Sequence, residues 1–249
     1  MADLPFALQL YTVRDSMDRA PEATLEQVKA MGYNHVELAG LAGLTAERFR
    51  AALDAAGLAA ISAHVPLDEL AGDPDAAIAM VETLGVDYVA VPWLGGEETP
   101  DRSAWEQYAR TIDAAGAALR EHGVQLCYHN HAHEFESIEG VSILDILFSG
   151  PRENLAAEID VYWARVAGAD PARLIRRFSG RAPLVHVKDM TADQPPAFAE
   201  MGQGVMEWEP IFAAAAQAGV EWLIVEQDEC AGDPLESARI SAEYMLARP

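Results

Sequence analysis

Asp160, His186 and Glu226 stand at the C-terminal ends of three short apolar runs, Leu155 to Ile159, Pro183 to Val187 and Val220 to Val225. Carboxylates and imidazoles are the ligands that Mn, Co, Fe, Zn or Mg accept, rather than those of a soft, thiolate-binding ion. Adjacent strands lie about 4.8 Å apart, so three such side chains pointing inward at one level can meet on a single ion. A fourth donor is on offer in the segment Tyr128-His-Asn-His-Ala-His-Glu-Phe-Glu136. Alternation puts His129 and His131 on one face and Asn130 on the other. Either histidine, or Glu134 folding back, would complete the set. The remaining runs also close on polar or aromatic residues: Gln9 and Tyr11, Glu37, His64, Trp93, then Lys188 beside His186 and Asp228 beside Glu226. Each has an ordinary explanation alone. An Asp after a strand is often a helix cap, and a lone His is usually a packed, hydrogen-bonded one. Ligand-type residues at strand end after strand end make a pattern that accident does not explain.

Such residues need elements that end where they stand. The chain alternates short apolar runs with longer helical patterns. The runs are Phe6 to Leu10, Tyr33 to Leu38, Leu58 to Ala63, Val86 to Val91, Val124 to His129, and the sixth to eighth named above. Helices between them are punctuated. Pro21 lies near the start of the first, Thr45 opens the second, and Asp73-Pro74, Asp170-Pro171 and Asp233-Pro234 open later ones. An Asp or Thr oxygen accepts from the free N–H groups of a first turn, and proline just after it gives up no needed donor. The others run from about Arg102 to His122, Ser142 to Phe148 and Glu209 to Gln217. Gly32, Gly57, Gly85, Gly123 and Gly219 close helices just before the next run, the stop expected of a left-handed cap. Continuous apolar strands are those of a parallel sheet buried on both faces. Eight such units in 249 residues predict a single-domain α/β protein, a (β/α)8 TIM barrel spanning 1–249. No Gly-x-Gly-x-x-Gly follows the first run, which speaks against a doubly wound dinucleotide-binding sheet. In a TIM barrel the C-terminal strand ends are where chemistry sits.

The charge restricts partners. There are 40 acidic and 17 basic side chains, a formal net charge of −23. Such a surface repels phosphate backbones and anionic membranes, so neither nucleic acid nor membrane is the expected partner. Two cysteines are too few for a disulfide framework. No basic region precedes the first apolar run, and no apolar run reaches the ~18 residues of a membrane span. The cytoplasm is the default location, and a homo-oligomer is compatible with this composition.

Several segments together carry a family resemblance. They are Leu8-Gln-Leu-Tyr-Thr-Val-Arg14, Gly32-Tyr-x-x-Val-Glu-Leu38, Ser62-Ala-His64, Tyr128-His-Asn-His-x-His-Glu-Phe135, Glu158-Ile-Asp160, His186-Val-Lys-Asp189, Gly202-x-Gly204 and Val225-Glu226. The chain resembles the sugar phosphate isomerase/epimerase family of xylose isomerase-like barrels, in its His-Asn-His-x-x-Glu-Phe branch. The resemblance implies one divalent metal held by Glu, Asp, His and Glu from strands five to eight. Asp160, His186 and Glu226 match three of these, and His129 stands where the epimerases place the strand-five glutamate.

These residues imply a chemistry. The expected enzyme acts on a sugar or keto-sugar by taking a proton from the carbon next to a carbonyl, through a metal-stabilised enediolate. Glu226, His131 and Glu134 are the candidate bases, with His131 able to titrate near neutral pH. Lys188 would steady the developing oxyanion. Gln9, Tyr11, Glu37, His64 and Trp93 would bind substrate. Return of the proton to the other face gives an epimer, return to the neighbouring carbon gives an isomer, and loss of a β-substituent makes the enzyme a lyase or dehydratase. His129 in place of a carboxylate weakens a symmetric two-carboxylate exchange and favours the last outcome. A sugar-binding barrel without catalysis is the remaining alternative.

Overall fold

The computed structural model describes residues 4–95 and 100–248. Eight strands, β1 (Phe6–Gln9), β2 (His35–Ala39), β3 (Ala59–His64), β4 (Tyr88–Val91), β5 (Gln125–His129), β6 (Ala156–Asp160), β7 (Leu184–Val187) and β8 (Trp222–Val225), pair in parallel. They hydrogen-bond in chain order, and β8 returns to β1 to close the barrel. The helices α1 (Pro21–Ala30), α2 (Ala46–Ala56), α3 (Pro74–Leu84), α4 (Arg102–Glu121), α5 (Ile143–Leu147), α6 (Pro171–Arg177), α7 (Trp208–Ala218) and α8 (Pro234–Leu246) follow the strands in turn. This is the expected TIM barrel. Among the described residues no helix is long and apolar enough to cross a membrane.

The punctuation read from sequence is what stops and starts these helices. Asp73, Asp170 and Asp233 each accept a first-turn N–H, with proline next in line. Gly57 and Gly85 close α2 and α3 in the left-handed conformation, at φ 71° and 69°. The boundaries differ at β2, where the apolar run begins at Tyr33. That side chain is fully buried but serves α8: its hydroxyl donates to the carbonyl of Ala238 at 2.9 Å. The structure adds short helices at Arg14–Arg19, Leu67–Gly72 and Val161–Val166, beyond those expected from the sequence.

The barrel interior changes character along its axis. Ala7, Ile61, Ala90, Cys127, Ala156, Leu184 and Ile224 form a small apolar plug. Two residues further on, where alternation returns the side chain to the same face, the chain turns polar: Gln9, His129, Glu158, His186 and Glu226. A register shift between β2 and β3 skips Ile61 and sets Ser62 opposite Glu37. The chain after β7 then folds into a loop pinned by Asp189. Its carboxylate accepts from the N–H groups of Met190, Gly202, Gly204 and Met206 and from the Trp208 indole, at 2.9–3.2 Å. The loop carries Phe198, whose ring stacks on Tyr162 at 4.3 Å beside the strand ends.

Candidate metal centre

Strands β5 to β8 bring His129, Asp160, His186 and Glu226 to one level. Asp160 pairs in register with His186, and His186 with Ile224 next to the end of β8. One donor atom from each of the four lies within 4.8 Å of all the others, and all four side chains are buried. His129 Nε2 is 3.5 Å from Asp160 Oδ2, and His186 Nδ1 is 2.7 Å from Glu226 Oε2. Asp160 divides its oxygens. Oδ1 caps the short helix Val161–Val166 by accepting from Trp163 N–H at 2.9 Å. Oδ2 is buried with no hydrogen bond of acceptable geometry among the described residues, and the Lys188 ammonium lies 2.9 Å from it as an ion-pair partner. That ammonium also lies 2.8 Å from Glu226 Oε2 and 2.5 Å from Asp228 Oδ1. Two imidazoles and two buried carboxylates suit a divalent ion with mixed nitrogen and oxygen ligands. Asp160 thus caps the helix with one oxygen and turns the other toward the donor group.

The charges are mutually adjusted. Burial disfavours the carboxylate of Glu226, but Lys188 and His186 overcome this and hold it well below the usual range. Burial pushes Asp160 up, with Lys188 opposing. Asp228, desolvated and only partly relieved by Lys188, is raised to about 6. Burial disfavours the Lys188 ammonium, yet Asp160, Glu226 and Asp228 keep it charged.

A second layer lies directly beneath. Glu37 is 0% exposed and receives the Gln9 amide at 2.8 Å, the Ser62 hydroxyl, and His186 Nε2 at 2.7 Å. Glu158 Oε2 meets His64 Nε2 at 2.7 Å and His129 Nδ1 at 3.0 Å. Burial opposes a charge on His64, but Glu37 and Glu158 outweigh it and push the imidazole up to about 10. Gln9 and Glu37, expected to touch substrate, therefore lie under the donor group with their polar atoms already engaged. Glu158 is the member of this layer that reading the strand ends misses. Its position does carry a signal, since it precedes Asp160 by two residues and must share its face.

The mouth is partly aromatic. Trp93 is 51% and Tyr11 43% exposed. The His131 ring sits between Trp93 and Trp163, at centroid distances of 4.6 and 5.3 Å, and its buried Nδ1 has no hydrogen-bond partner among the described residues. A hollow of about 460 Å³ opens along Trp93, His131, His133, Phe135 and Trp163. Burial, reinforced by Lys188, pulls His131 down to about 2. It is a neutral imidazole at physiological pH, not a group poised near neutrality as expected. Glu134 does not fold back to the donor group. It is fully buried, taking the Tyr128 hydroxyl at 2.6 Å and the His131 N–H at 2.7 Å. Its task is to pin the turn that carries His131.

Residues 25–248 match the xylose isomerase-like TIM barrel family. Among curated proteins, an inosose dehydratase from Geobacillus kaustophilus is 28% identical over 196 residues, covering 65% of this chain and 63% of its own. For the inosose dehydratase of Lacticaseibacillus casei the covered share of the relative falls to 54%, so this chain spans little more than half the length of the curated relatives it matches. Among solved structures, a sugar phosphate isomerase/epimerase from Parabacteroides distasonis superposes with a TM-score of 0.87 at 22% identity, covering 100% of this chain and 96% of that one. An IolI protein solved with a bound zinc atom superposes with a TM-score of 0.78 at 13% identity, covering 98% and 97%. At these identities the two structures speak for the fold.

Proposed function

The chain belongs to the xylose isomerase-like TIM barrel family, and from that premise we propose that it is a divalent-metal-dependent enzyme of the isomerase/epimerase type, removing a proton next to the carbonyl of a sugar or keto-sugar. The observation that carries this reading is the buried donor group, to which four consecutive strands each bring one ligand-type side chain. His129, Asp160, His186 and Glu226 would hold the ion. A bound Mn, Co, Zn, Fe or Mg ion would supply Lewis-acid polarisation of the substrate carbonyl.

The chain's own groups divide the remaining work. His131 is the candidate base that remains: it stands at the mouth beside Trp93 and Trp163, and its imidazole, pulled down to about 2, takes a proton only weakly. Glu226 is tied to His186 and Lys188, so its part is that of a ligand. Lys188 sets a positive charge beside the oxygen on which negative charge grows. Tyr11, Trp93 and the outer edge of His64 face the sugar.

A second reading is elimination, and two observations favour it. The curated relatives are inosose dehydratases. The groups at hand are also unlike, the His131 imidazole and the Lys188–Asp228 pair, where epimerisation calls for two matched bases. In that reaction His131 takes the C–H proton and the freed electron pair forms a C=C bond. The C–O bond β to the carbonyl breaks, and the hydroxyl leaves as water with a proton from the Lys188–Asp228 pair. No oxidant or reductant is needed.

The test is incubation of inosose and of simple ketoses in D2O with Mn²⁺, Co²⁺ or Zn²⁺, followed by NMR. Metal-dependent deuterium incorporation beside the carbonyl supports the reading, and accompanying loss of water assigns the lyase outcome. No exchange with any of these compounds and any of these ions contradicts it.

A further inference from the structure

A neutral imidazole has one N–H and one lone pair, and a hydrogen bond to one nitrogen decides which nitrogen remains free as a ligand. His129 and His186 are each held at both nitrogens, by different layers. His129 Nδ1 is 3.0 Å from Glu158 Oε2 below, while Nε2 faces Asp160 Oδ2 at 3.5 Å. His186 is turned the other way. Its Nε2 is 2.7 Å from Glu37 Oε2 below, while Nδ1 faces Glu226 Oε2 at 2.7 Å.

We propose that Glu37 and Glu158 are positioning residues that impose opposite tautomers on the two histidines, so that His129 offers Nε2 and His186 offers Nδ1 to the ion. This rests on the metal reading above. Carboxylates face both nitrogens of each ring; an ion among the upper donors would take His129 Nε2 and His186 Nδ1, which leaves the protons on His129 Nδ1 and His186 Nε2, directed at Glu158 and Glu37. Glu37 is itself held at both oxygens, and Glu158 at Oε2. Gln9 Nε2 and the Ser62 hydroxyl occupy Glu37, and His64 Nε2 reaches both Glu158 Oε2 at 2.7 Å and Glu37 Oε2 at 3.2 Å. One histidine thus clamps the two carboxylates that aim the other two. Every member of this layer except the edge of His64 is sealed from solvent, so water cannot substitute for a lost partner. An anchored carboxylate behind an imidazole also makes it a stronger donor, and loss of such a partner commonly weakens metal binding ~10- to 100-fold.

The lower layer has a competing use. His64, His129, Glu158 and His186 also bring donor atoms within 4.8 Å of one another. An ion seated there would take His129 and His186 through the nitrogens that carry N–H in the proposed arrangement.

The experiment is ¹H–¹⁵N correlation NMR on the full chain with ¹⁵N-labelled histidine, loaded with Zn²⁺, beside zinc affinity measured by chelator competition for the native chain, Glu37→Gln and Glu158→Gln. One zinc per chain, with His129 protonated at Nδ1 and His186 at Nε2, is expected. The two variants should lose ~10- to 100-fold in zinc affinity while keeping the native circular dichroism spectrum. Zinc bound through the other nitrogen of either ring, two zinc ions per chain, or folded variants within about twofold of native affinity would each overturn the inference alone. A native chain that takes up no zinc contradicts the metal reading and the inference together. If a variant does not fold, the tautomers of the native chain still decide.

Discussion

Asp160 separates two roles that a single deletion would confuse. Asp160→Asn keeps an oxygen to accept from Trp163 N–H but removes the charge facing His129 and Lys188. Lys188 retains Glu226 and Asp228, so this variant should fold and bind metal at least ~10-fold more weakly. Asp160→Ala should lose the metal and a further ~1 kcal/mol of stability with the cap, read from urea unfolding beside metal titration. If both variants bind metal as the native chain does, Asp160 is only a cap. His131→Ala should retain the metal and lower kcat by ~10²- to 10⁴-fold, the usual worth of a general base. Unchanged turnover would move the base elsewhere. At this scale the sequence is readable where a residue ends a strand: Asp160, His186 and Glu226 are found that way. It is less readable in depth. Alternation tells which face Glu37 shares, but not that it lies one layer below the mouth. Glu134 escapes for another reason. Its partner Tyr128 points away from the barrel interior, and nothing in the spacing says that the turn will bring the two together.

Strand ends and helix caps are legible because each depends on a few adjacent residues whose chemistry is local. The loops over the mouth are not, since long-range contacts decide them. The helix Val161–Val166 needs Asp160 as its cap, a role that competes in sequence with metal binding. The loop after β7 owes its shape to one carboxylate receiving five N–H donors from residues up to 208. Asp189→Asn leaves a single acceptor oxygen and turns an N–H₂ toward donors. We expect a loss of roughly 2–4 kcal/mol, from weakened charge-assisted bonds and stranded N–H groups. Hydrogen exchange should quicken across 198–208 while the helices behind the barrel keep their protection. Gly204 belongs to the same device: a Cβ there would lie 2.3 Å from both Asp189 Oδ1 and the Met190 carbonyl. Gly204→Ala should therefore disturb the same segment, and combining it with Asp189→Asn should cost less than the two losses added. Native exchange rates in either variant would mean that the loop is held by its apolar contacts alone, Phe198 on Tyr162 among them.

The whole molecule carries a net charge of −23, and this excess is a surface property that the fold tolerates rather than uses. Self-repulsion of that size weakens the compact state, and salt screens it over a Debye length of about 10 Å at 0.1 M. Raising NaCl from low concentration to about half molar should raise the urea midpoint of the chain, because exposed charges are screened and the buried ion group is not. A midpoint that falls with salt would mean that attractive surface pairs outweigh the repulsion. The barrel itself is legible because it is a repeat. Strand, helix and glycine stop recur along the chain, and each unit can bury both strand faces only between its neighbours.

Bound metal per chain is the quantity on which the proposed chemistry turns. It is read by elemental analysis after dialysis, for the native protein and Asp160→Asn incubated in parallel with Mn²⁺, Co²⁺, Zn²⁺ and Mg²⁺. About one divalent ion per native chain is expected, held by His129, Asp160, His186 and Glu226, with little or none in the variant. A native chain that retains none of these ions, or a variant that retains as much as the native, would contradict the metal centre and the reaction built on it.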